Sequence, residues 1–288
     1  MHKNLIILAG GASSRMKKSL ATKNLSEEEL KNANSRSKAL LGFGKDNRPI
    51  LDFLLLNAEK AGYRNIVIII SEDGGMFKEF YGSKTKNNTF KSLSISYATQ
   101  YIPKDRIKPF GTADAVLQAL EQYPKLQKEA FTVCNSDNLY SVEVLKTLRK
   151  CKNSNAFISY DRDGLQFPME KIERFALVLL NNVSNLIDII EKPSKDKVSG
   201  YKDEDGKFRV SMNIFKFSGN EIYPFLKNCA INPIRNEKEL PTAILAMINE
   251  TNYVMKGIPF KEHVPDLTSK EDIALMKVFL KINYPSMF

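Results

Sequence analysis

The chain alternates between short apolar runs and longer segments whose apolar residues recur every three or four positions. The apolar runs are NLIILA, NIVIII, AFTVC and NAFISY, at residues 4–9, 65–70, 130–134 and 155–160. A further run, LSISYA at residues 93–98, alternates apolar and polar positions. Runs of this length predict strands, and continuous apolar runs are typical of strands that are buried on both faces. We therefore expect five strands in the first half of the chain.

The segments between these strands show helical spacing and signals for helix ends. Residues 50–61 follow Pro49 and precede Gly62, a residue that suits the end of a helix. We expect a second helix at 112–122, with Thr112 as its cap, and a third at 141–151. Residues 17–37 are mostly polar, and Ser26 with Glu29 matches a capping box. We therefore expect one short helix there, inside an otherwise mobile insertion.

Strand and helix alternate along the first half, which indicates a mostly parallel sheet covered by helices on both faces. The second half is more mixed, and its expected strands lie at 175–181, 185–190, 209–218 and 253–260. Its expected helices lie near 219–228, near 241–250 and at 268–281, the last opened by Thr268 or Ser269. The predicted fold class is α/β, a three-layer α/β/α, Rossmann-like architecture with a mostly parallel mixed sheet. We expect a single domain over residues 1–288.

Composition narrows the classes of protein. Hydrophobic residues make up 43% of the chain, enough for a substantial core. The three cysteines, Cys134, Cys151 and Cys229, are too far apart in sequence for a zinc motif or a disulfide framework. This usage favours a reducing, cytoplasmic environment. No apolar run approaches the length of a membrane span, so we expect a soluble protein.

The formal net charge of +10 favours anionic ligands. The lysines and arginines are scattered, without a block of five or more like charges, so much of the excess is expected on solubilising surface. A nucleic-acid-binding protein is one alternative, although stripes of interleaved aromatic and basic residues are not evident. A steep salt dependence of oligonucleotide binding would support that alternative.

The segment LAGGASSRM, residues 8–16, leaves the first strand through two glycines. Such a turn exposes backbone N–H groups that suit phosphate oxygens, and Arg15 adds a donor that stays charged. The segment matches neither the P-loop nor the dinucleotide-binding pattern, and an ordinary tight turn also accounts for it. Lys38, in SKALLGF, would be an ordinary surface lysine if it stood alone.

Further candidate residues follow later in the chain. In KPFGTADAV, Gly111 allows close approach of the backbone to a flat ligand, although ordinary helix capping explains it as well. Asp137, in VCNSDN at a strand end, suits a Mg²⁺ ion shared with substrate phosphates, and a turn aspartate is the alternative. Lys192 of the EKP segment would direct a cation to the site, unless the segment is only a turn that Pro193 sets at the end of a strand. Asp266 would be a second metal ligand, unless it serves only the entry to the last helix.

In this order and at these separations, the residues resemble the sugar-phosphate nucleotidyltransferase family, which makes nucleotide-sugars such as UDP-, ADP- and dTDP-glucose. The resemblance covers about residues 4–280 and is most specific in LAGGASSRM and GTADAV. It implies that Arg15 and Lys38 are catalytic and that Asp137 and Asp266 hold Mg²⁺. The implied NTP-binding residues are Leu8, Gly10, Gly11, Gln100, Gly111 and Thr112. The implied sugar-phosphate-binding residues are Glu191, Lys192 and Asn213, so that 1–160 is the nucleotide-binding half and 161–288 the sugar-phosphate-binding half.

The implied activity is transfer of a nucleoside monophosphate from an NTP to a sugar 1-phosphate, with release of pyrophosphate. The sequence departs from the family in the insertion at 17–37 and in Ser136, where many relatives have glycine before the metal aspartate. It also has Ser211, Met212 and Asn213 in place of the common Asn-Ala-Gly. Another phosphorylated alcohol as acceptor, or a module that binds nucleotide-sugars without catalysis, is therefore an alternative. The expected partners are an NTP and a sugar 1-phosphate, with Mg²⁺ as cofactor and with neither nucleic acid nor membrane.

Overall fold

The computed structural model describes residues 1–20, 25–190 and 199–287. Its strands are β1 Asn4–Leu8, β2 Gly42–Phe43, β3 Arg48–Pro49, β4 Asn65–Ser71, β5 Asn88–Phe90, β6 Leu93–Gln100, β7 Ala130–Asn135, β8 Asn155–Asp161, β9 Ala176–Leu180, β10 Leu186–Ile190, β11 Arg209–Ser218 and β12 Met255–Phe260. Its helices are α1 Ser14–Lys18, α2 Glu27–Ser35, α3 Ile50–Ala61, α4 Gly75–Tyr81, α5 Thr112–Gln122, α6 Val142–Lys150, α7 Met169–Ile172, α8 Gly219–Lys227, α9 Leu240–Glu250 and α10 Glu271–Asn283. Short 3₁₀ turns lie at Lys38–Leu40, Pro124–Gln127, Arg162–Gly164, Ser199–Tyr201 and Pro285–Met287.

One mixed sheet takes in ten of the described strands, and β2 and β3 form a separate hairpin. The order along the main path is β10-β9-β11-β7-β1-β4-β6-β5, while β8 pairs with β11 and β12. The central strands β7, β1, β4 and β6 are parallel to one another, and β11 is antiparallel to β7, β8 and β9. Strand β11 thereby joins the second half of the chain to the first within one sheet.

Helices cover both faces of this sheet, as the continuous apolar strands predict. On β1, Leu5 and Ile7 pack into one cluster with α3 and α6, whereas Ile6 packs into a second cluster with α5, α8 and α9. All three side chains are fully buried. Burying a side chain of this size contributes about 1.5–3 kcal/mol, so both layers contribute to the stability of the sheet. The predicted three-layer α/β/α fold class is confirmed.

The predicted strands and longer helices are present, with small shifts at their ends, and two helix starts differ from the prediction. The last helix begins at Glu271, because the carboxylate of Asp272 accepts the backbone N–H groups of Thr268 and Ser269 at 2.8 and 2.6 Å and holds them in a preceding turn. Thr112 does not cap α5 with its side chain. Its hydroxyl oxygen accepts the N–H of Leu240, at 2.9 Å, from the start of α9.

Helix α2 lies within the polar stretch expected to be a mobile insertion. The predicted capping box is present, with Ser26 and Glu29 each accepting the other's backbone N–H. Ala33 of α2 is fully buried, and Glu29 forms an ion pair with Lys277 of α10. The described part of the stretch is therefore packed against the last helix. None of the helices in the described ranges combines the length and apolar character needed to cross a membrane.

Candidate active site

Two adjoining pockets open where the parallel strands β1 and β7 end. The first, here called the glycine-loop pocket, has a volume of about 460 Å³ and is lined by residues 8–15 with parts of the loops after β6 and β7. The predicted site residues that line it are Leu8, Gly10, Gly11, Arg15, Lys38, Gln100, Gly111, Thr112 and Asp137. The carboxyl ends of parallel strands are where such folds bind ligands.

The second pocket, here called the bulge pocket, has a volume of about 490 Å³ and lies beside strand β11. The predicted site residues that line it are Arg15, Asp137, Asn213 and Asp266. Arg15, Asn135 and Asp137 line both pockets, so the two cavities meet at these three residues. A molecule in one pocket would thus lie beside a molecule in the other.

The glycine loop leaves β1 with its backbone open to the pocket. A Cβ atom on Gly11 would meet no atom within 4 Å, and one on Gly10 would make only an ordinary contact of 3.4 Å with the side-chain oxygen of Gln100. The loop continues into α1, where the exposed Arg15 forms no hydrogen bond or ion pair through its guanidinium with any described residue. The loop thus presents open backbone and a free cation at the junction of the pockets.

Gln100 is held in one orientation at the floor of the glycine-loop pocket. Its side chain is only 4% exposed, and its amide nitrogen donates to the carbonyl of Gly111 at 3.0 Å and to Asp114 at 2.9 Å. Both amide hydrogens are therefore engaged inside the protein. The remaining side-chain oxygen faces Gly10 and is available as an acceptor.

Gly111 lies beside Gln100, at a point where two loops are in close contact. Its φ is +108°, and a Cβ there would lie 2.3 Å from the carbonyl oxygen of Lys238. The N–H of Lys238 donates to Phe110 at 2.7 Å, and the N–H of Ala113 donates back to Lys238 at 2.9 Å. The sequence predicts close approach of Gly111 to a flat ligand. The close approach that the structure shows is to the backbone of Lys238.

Asp137 follows β7 and pairs with the first predicted lysine. The N–H of Ser136 donates to the carbonyl of Leu8 at 3.2 Å, which fixes the end of β7 beside β1. Lys38 reaches across and forms an ion pair with Asp137, and both side chains are mostly buried, with 17% and 16% exposed. The N–H of Lys38 also donates to the hydroxyl of Ser13 at 3.3 Å, so this lysine is tied to the glycine loop.

Asp266 lies next to the same strand end. Its neighbour Leu267 donates its N–H to the carbonyl of Asp137 at 3.0 Å. The Asp266 carboxylate is 9% exposed; it accepts from Asn138 at 3.3 Å and forms an ion pair with Lys171 at 3.0 Å. Two carboxylates, each with a lysine partner, therefore line one cavity.

The donor set at this cavity is compatible with magnesium. The described residues contain no cluster of three or more histidine, cysteine, aspartate or glutamate side chains that would form a metal cage. Mg²⁺ is usually held by one or two carboxylates together with substrate phosphates. Asp137 and Asp266 supply hard oxygen donors of this kind on the wall of the bulge pocket. They fit an ion that binds with a phosphorylated ligand.

Asn213 reaches the cavity because β11 is irregular. The pairing of β11 with β8 shifts register between Ser211 and Phe215, and Asn213 takes a left-handed φ of +54° there. The hydroxyl of Tyr140 donates to the carbonyl of Met212 at 2.7 Å and supports the bulge. The side-chain amide of Asn213 lines the bulge pocket and has no hydrogen-bond partner in the described ranges.

The sequence does not predict three cations at this cavity. Arg174 and Arg235 line the bulge pocket, and Lys171 pairs with Asp266. Arg174 lies just before β9, so its position depends on how β9 is aligned with β11, which the sequence does not give. Arg235 lies in a polar loop without a strand-end pattern. The predicted Glu191 and Lys192 lie outside the described residues.

Comparison with known proteins agrees with this architecture. Residues 4–261 match the sequence model of the family described as Nucleotidyl transferase. A glucose-1-phosphate adenylyltransferase of Clostridioides difficile (strain 630) is 23% identical over 266 residues, covering 91% of this chain and 62% of the relative. Another, of Clostridium novyi (strain NT), is 26% identical over 225 residues, covering 77% of this chain and 52% of the relative. The chain thus spans about half to two-thirds of the length of these relatives.

A solved structure of UDP-glucose pyrophosphorylase complexed with UDP-glucose superimposes with a TM-score of 0.71. The superposition covers 98% of this chain and 100% of the other, at 15% sequence identity. Such a likeness establishes the shared fold, while the sequence model matches about nine-tenths of the chain. The chain belongs to the nucleotidyl transferase family.

Proposed function

We propose that this protein transfers a nucleoside monophosphate from an NTP to a sugar 1-phosphate and releases pyrophosphate. The observation that carries the proposal is the meeting of two pockets at Arg15, Asn135 and Asp137. The glycine-loop pocket would hold the NTP, and the bulge pocket would hold the acceptor. Because the relatives are named glucose-1-phosphate adenylyltransferases, the first substrate pair to test is ATP and glucose 1-phosphate.

Two features of the glycine-loop pocket suit a nucleotide. The open backbone at Gly10 and Gly11 leaves room for phosphate oxygens against N–H donors. The fixed oxygen of Gln100 would accept a hydrogen bond from an N–H group on the edge of a base, since its amide hydrogens are engaged by Gly111 and Asp114. Because that oxygen lies beside Gly10, the base would lie next to this glycine, and the phosphates would extend from Gly11 along the loop.

The reaction proposed is a direct displacement. An oxygen of the acceptor phosphate attacks the α-phosphorus, the bond from the α-phosphorus to the bridging oxygen breaks, and pyrophosphate leaves with that electron pair. The protein has little covalent chemistry to perform, so positioning and charge neutralisation carry the rate. The free guanidinium of Arg15 lies where the two substrates would meet and would bind the oxygens that gain charge. Lys38, beside Asp137, places a second cation at the same point.

Asp137 and Asp266 would hold Mg²⁺ together with the substrate phosphates. When bound, the ion would supply charge neutralisation at the phosphates without proton transfer. The protein's own part is to keep both carboxylates at one wall: Leu267 N–H binds the carbonyl of Asp137, while Asn138 and Thr268 donate to Asp266. These contacts fix the carboxylates before any ligand arrives.

The proposal is tested by pyrophosphate release from five NTPs with Mg²⁺, each with a panel of sugar 1-phosphates and of non-sugar phosphate esters. We expect release with at least one pair and none when the acceptor is omitted. Binding of an NTP or nucleotide-sugar without release across the whole panel would instead indicate a binding module. Release only with a non-sugar phosphate ester would assign a different acceptor.

A matched pair of variants on α1 tests the assignment of Arg15. Arg15→Ala should reduce kcat/KM by at least about 30-fold, the equivalent of about 2 kcal/mol for the loss of one preorganised donor. Lys18→Ala removes a neighbouring exposed cation that lines neither pocket and should leave turnover unchanged. Equal rates for the two variants would exclude the proposed role of Arg15.

A further inference from the structure

Lys270 is a buried cation whose contacts lie far away in the sequence. It immediately precedes α10 and is only 4% exposed. Its ammonium donates to the carbonyls of Lys17 at 3.2 Å and Ser19 at 2.5 Å, and its backbone N–H donates to the hydroxyl of Ser19 at 3.1 Å. It forms no ion pair among the described residues. Burying a charge whose only partners are carbonyl groups costs free energy. The contacts of Lys270 must therefore contribute something that offsets this cost.

These contacts close the end of helix α1. The N–H and hydroxyl of Ser19 donate to the carbonyls of Arg15 and Met16 at 3.0 and 2.9 Å. The ammonium of Lys270 donates to the carbonyls of Lys17 and Ser19. A cation at the carboxyl end of a helix also interacts favourably with the helix dipole. Ser19 and Lys270 together bind the carbonyls of Arg15, Met16 and Lys17 near the end of α1.

Helix α1 depends on such contacts because it is only five residues long. An isolated helix of this length is not stable in water, so its position has to come from tertiary contacts. On the side towards the core, α1 is anchored by Met16, which is fully buried. At its carboxyl end, the side-chain anchor is Lys270. The guanidinium of Arg15, which lines both pockets, has no hydrogen-bond or ion-pair partner in the described ranges.

We propose that Lys270 is a positioning residue for Arg15. It fixes α1 to the segment that carries Asp266, and so sets the distance between the free guanidinium and the carboxylate wall. The segment from Asp266 to Lys270 is itself bonded to the end of β7 through Leu267 and Asp137. The kinetic test of this positioning role rests on the proposed nucleotidyl transfer, whereas the structural test does not.

The kinetic test is a double-mutant cycle. Lys270→Met keeps the length of the side chain and removes the ammonium, and we expect a loss in kcat of about ten- to a hundredfold, as for small misplacements of a catalytic group. Lys270→Arg, which retains N–H donors, should recover most of that loss. In an Arg15→Ala background the same Lys270→Met change should cost less than about threefold, because neighbours that act as a unit are not additive. An equal loss in both backgrounds would overturn the proposal.

The matched control is Lys277→Met. Lys277 lies on α10 and forms a partly exposed ion pair with Glu29 of α2, which contributes little to stability, and among the described residues it forms no hydrogen bond or ion pair with α1. We expect this variant to keep its kcat. If Lys270→Met does not fold, Ser19→Ala removes the hydroxyl that links Lys270 to Met16 and should give a smaller loss with the same dependence on Arg15.

Hydrogen exchange gives the structural test. The amides of residues 14–20 should exchange faster in Lys270→Met than in the unmodified protein, whereas Lys277→Met should leave them unchanged. Unchanged exchange at 14–20 in Lys270→Met would refute the positioning role whether or not the chain is a catalyst. Faster exchange in a chain that releases no pyrophosphate would leave the anchoring of α1 intact and overturn only the proposed function.

Discussion

Replacing Gly11 with alanine separates the requirements of the fold from those of a bound nucleotide. A Cβ at this position meets no protein atom within 4 Å, and the backbone there does not take a left-handed conformation. The folded state should therefore tolerate the methyl group. Because alanine also restricts the unfolded chain, the free energy of unfolding should rise by about 0.4–1 kcal/mol.

The same methyl group would stand where the proposed NTP phosphates approach the backbone. Displacing a phosphate from one N–H donor removes a charge-assisted hydrogen bond, which contributes about 1.5–3 kcal/mol. The dissociation constant of the NTP should therefore rise by about 10- to 150-fold. Because the fold has room for a side chain at residue 11, we attribute the glycine there to the space that a bound ligand needs.

Two quantities are measured for each variant. Calorimetric titration with a non-hydrolysable NTP analogue gives the affinity, and chemical denaturation gives the free energy of unfolding. Gly75→Ala is the matched control, because a Cβ on Gly75 would also meet no atom within 4 Å, yet this glycine lies on α4, outside both pockets. It should gain stability and keep its NTP affinity. Unchanged affinity in a stable Gly11→Ala variant would refute the assignment of the glycine loop to the phosphates.

Three further predictions concern other parts of the molecule. Gly111→Ala should lower the free energy of unfolding by about 2–3 kcal/mol in urea denaturation, because its Cβ would lie 2.3 Å from the carbonyl of Lys238 at a left-handed φ; unchanged stability would contradict the contact. Lys38→Met should slow pyrophosphate release by at least about 30-fold, because one of two preorganised cations is lost; wild-type turnover would exclude Lys38 from the site. Burial, followed by the charge of Lys171, lowers the pKa of His263 to about 4, and its Nδ1 accepts the N–H of Gln166 at 3.1 Å. Since the unfolded chain protonates near 6.5, the free energy of unfolding should be highest above that pH and fall by about 2 kcal/mol between pH 7 and pH 5, and His263→Gln should flatten this slope in urea titrations at those two pH values.

The sequence predicts the five longer strands and the three longer helices of the first half because each carries its own signal, but it misses α4, β5 and the hairpin of β2 and β3. Strand β1 is a continuous apolar run, and α5 has helical spacing over the range in which it forms. The second half is harder because local signals compete. Thr268 and Ser269 are good helix caps in isolation, yet Asp272 takes their N–H groups and delays the helix.

In the candidate site too, the residues with a local sequence signal are predicted, and those without one are missed. Gly10, Asp137 and Asp266 follow or precede elements that can be located from the sequence, and the structure brings them to one edge of the sheet. Their chemical roles stay predictions. Lys270 had no signal, because its partner Ser19 is 251 residues away and the contact exists only once the chain has folded. Residues that act through long-range contacts are invisible to reasoning from local patterns.

The contact between Gly111 and Lys238 has an implication for how specificity in this fold can change. The loop that bears Lys238 also bears Arg235 at the bulge pocket and Glu237 at the glycine-loop pocket. With no room for even one methyl group at the contact, an altered length in this loop would move walls of both cavities together. Under the proposed function, a change of acceptor preference and a change of base preference would therefore be linked through this loop. In a chimaera, residues 108–113 and 232–240 should be exchanged as one unit, since either piece alone would arrive without its counterpart.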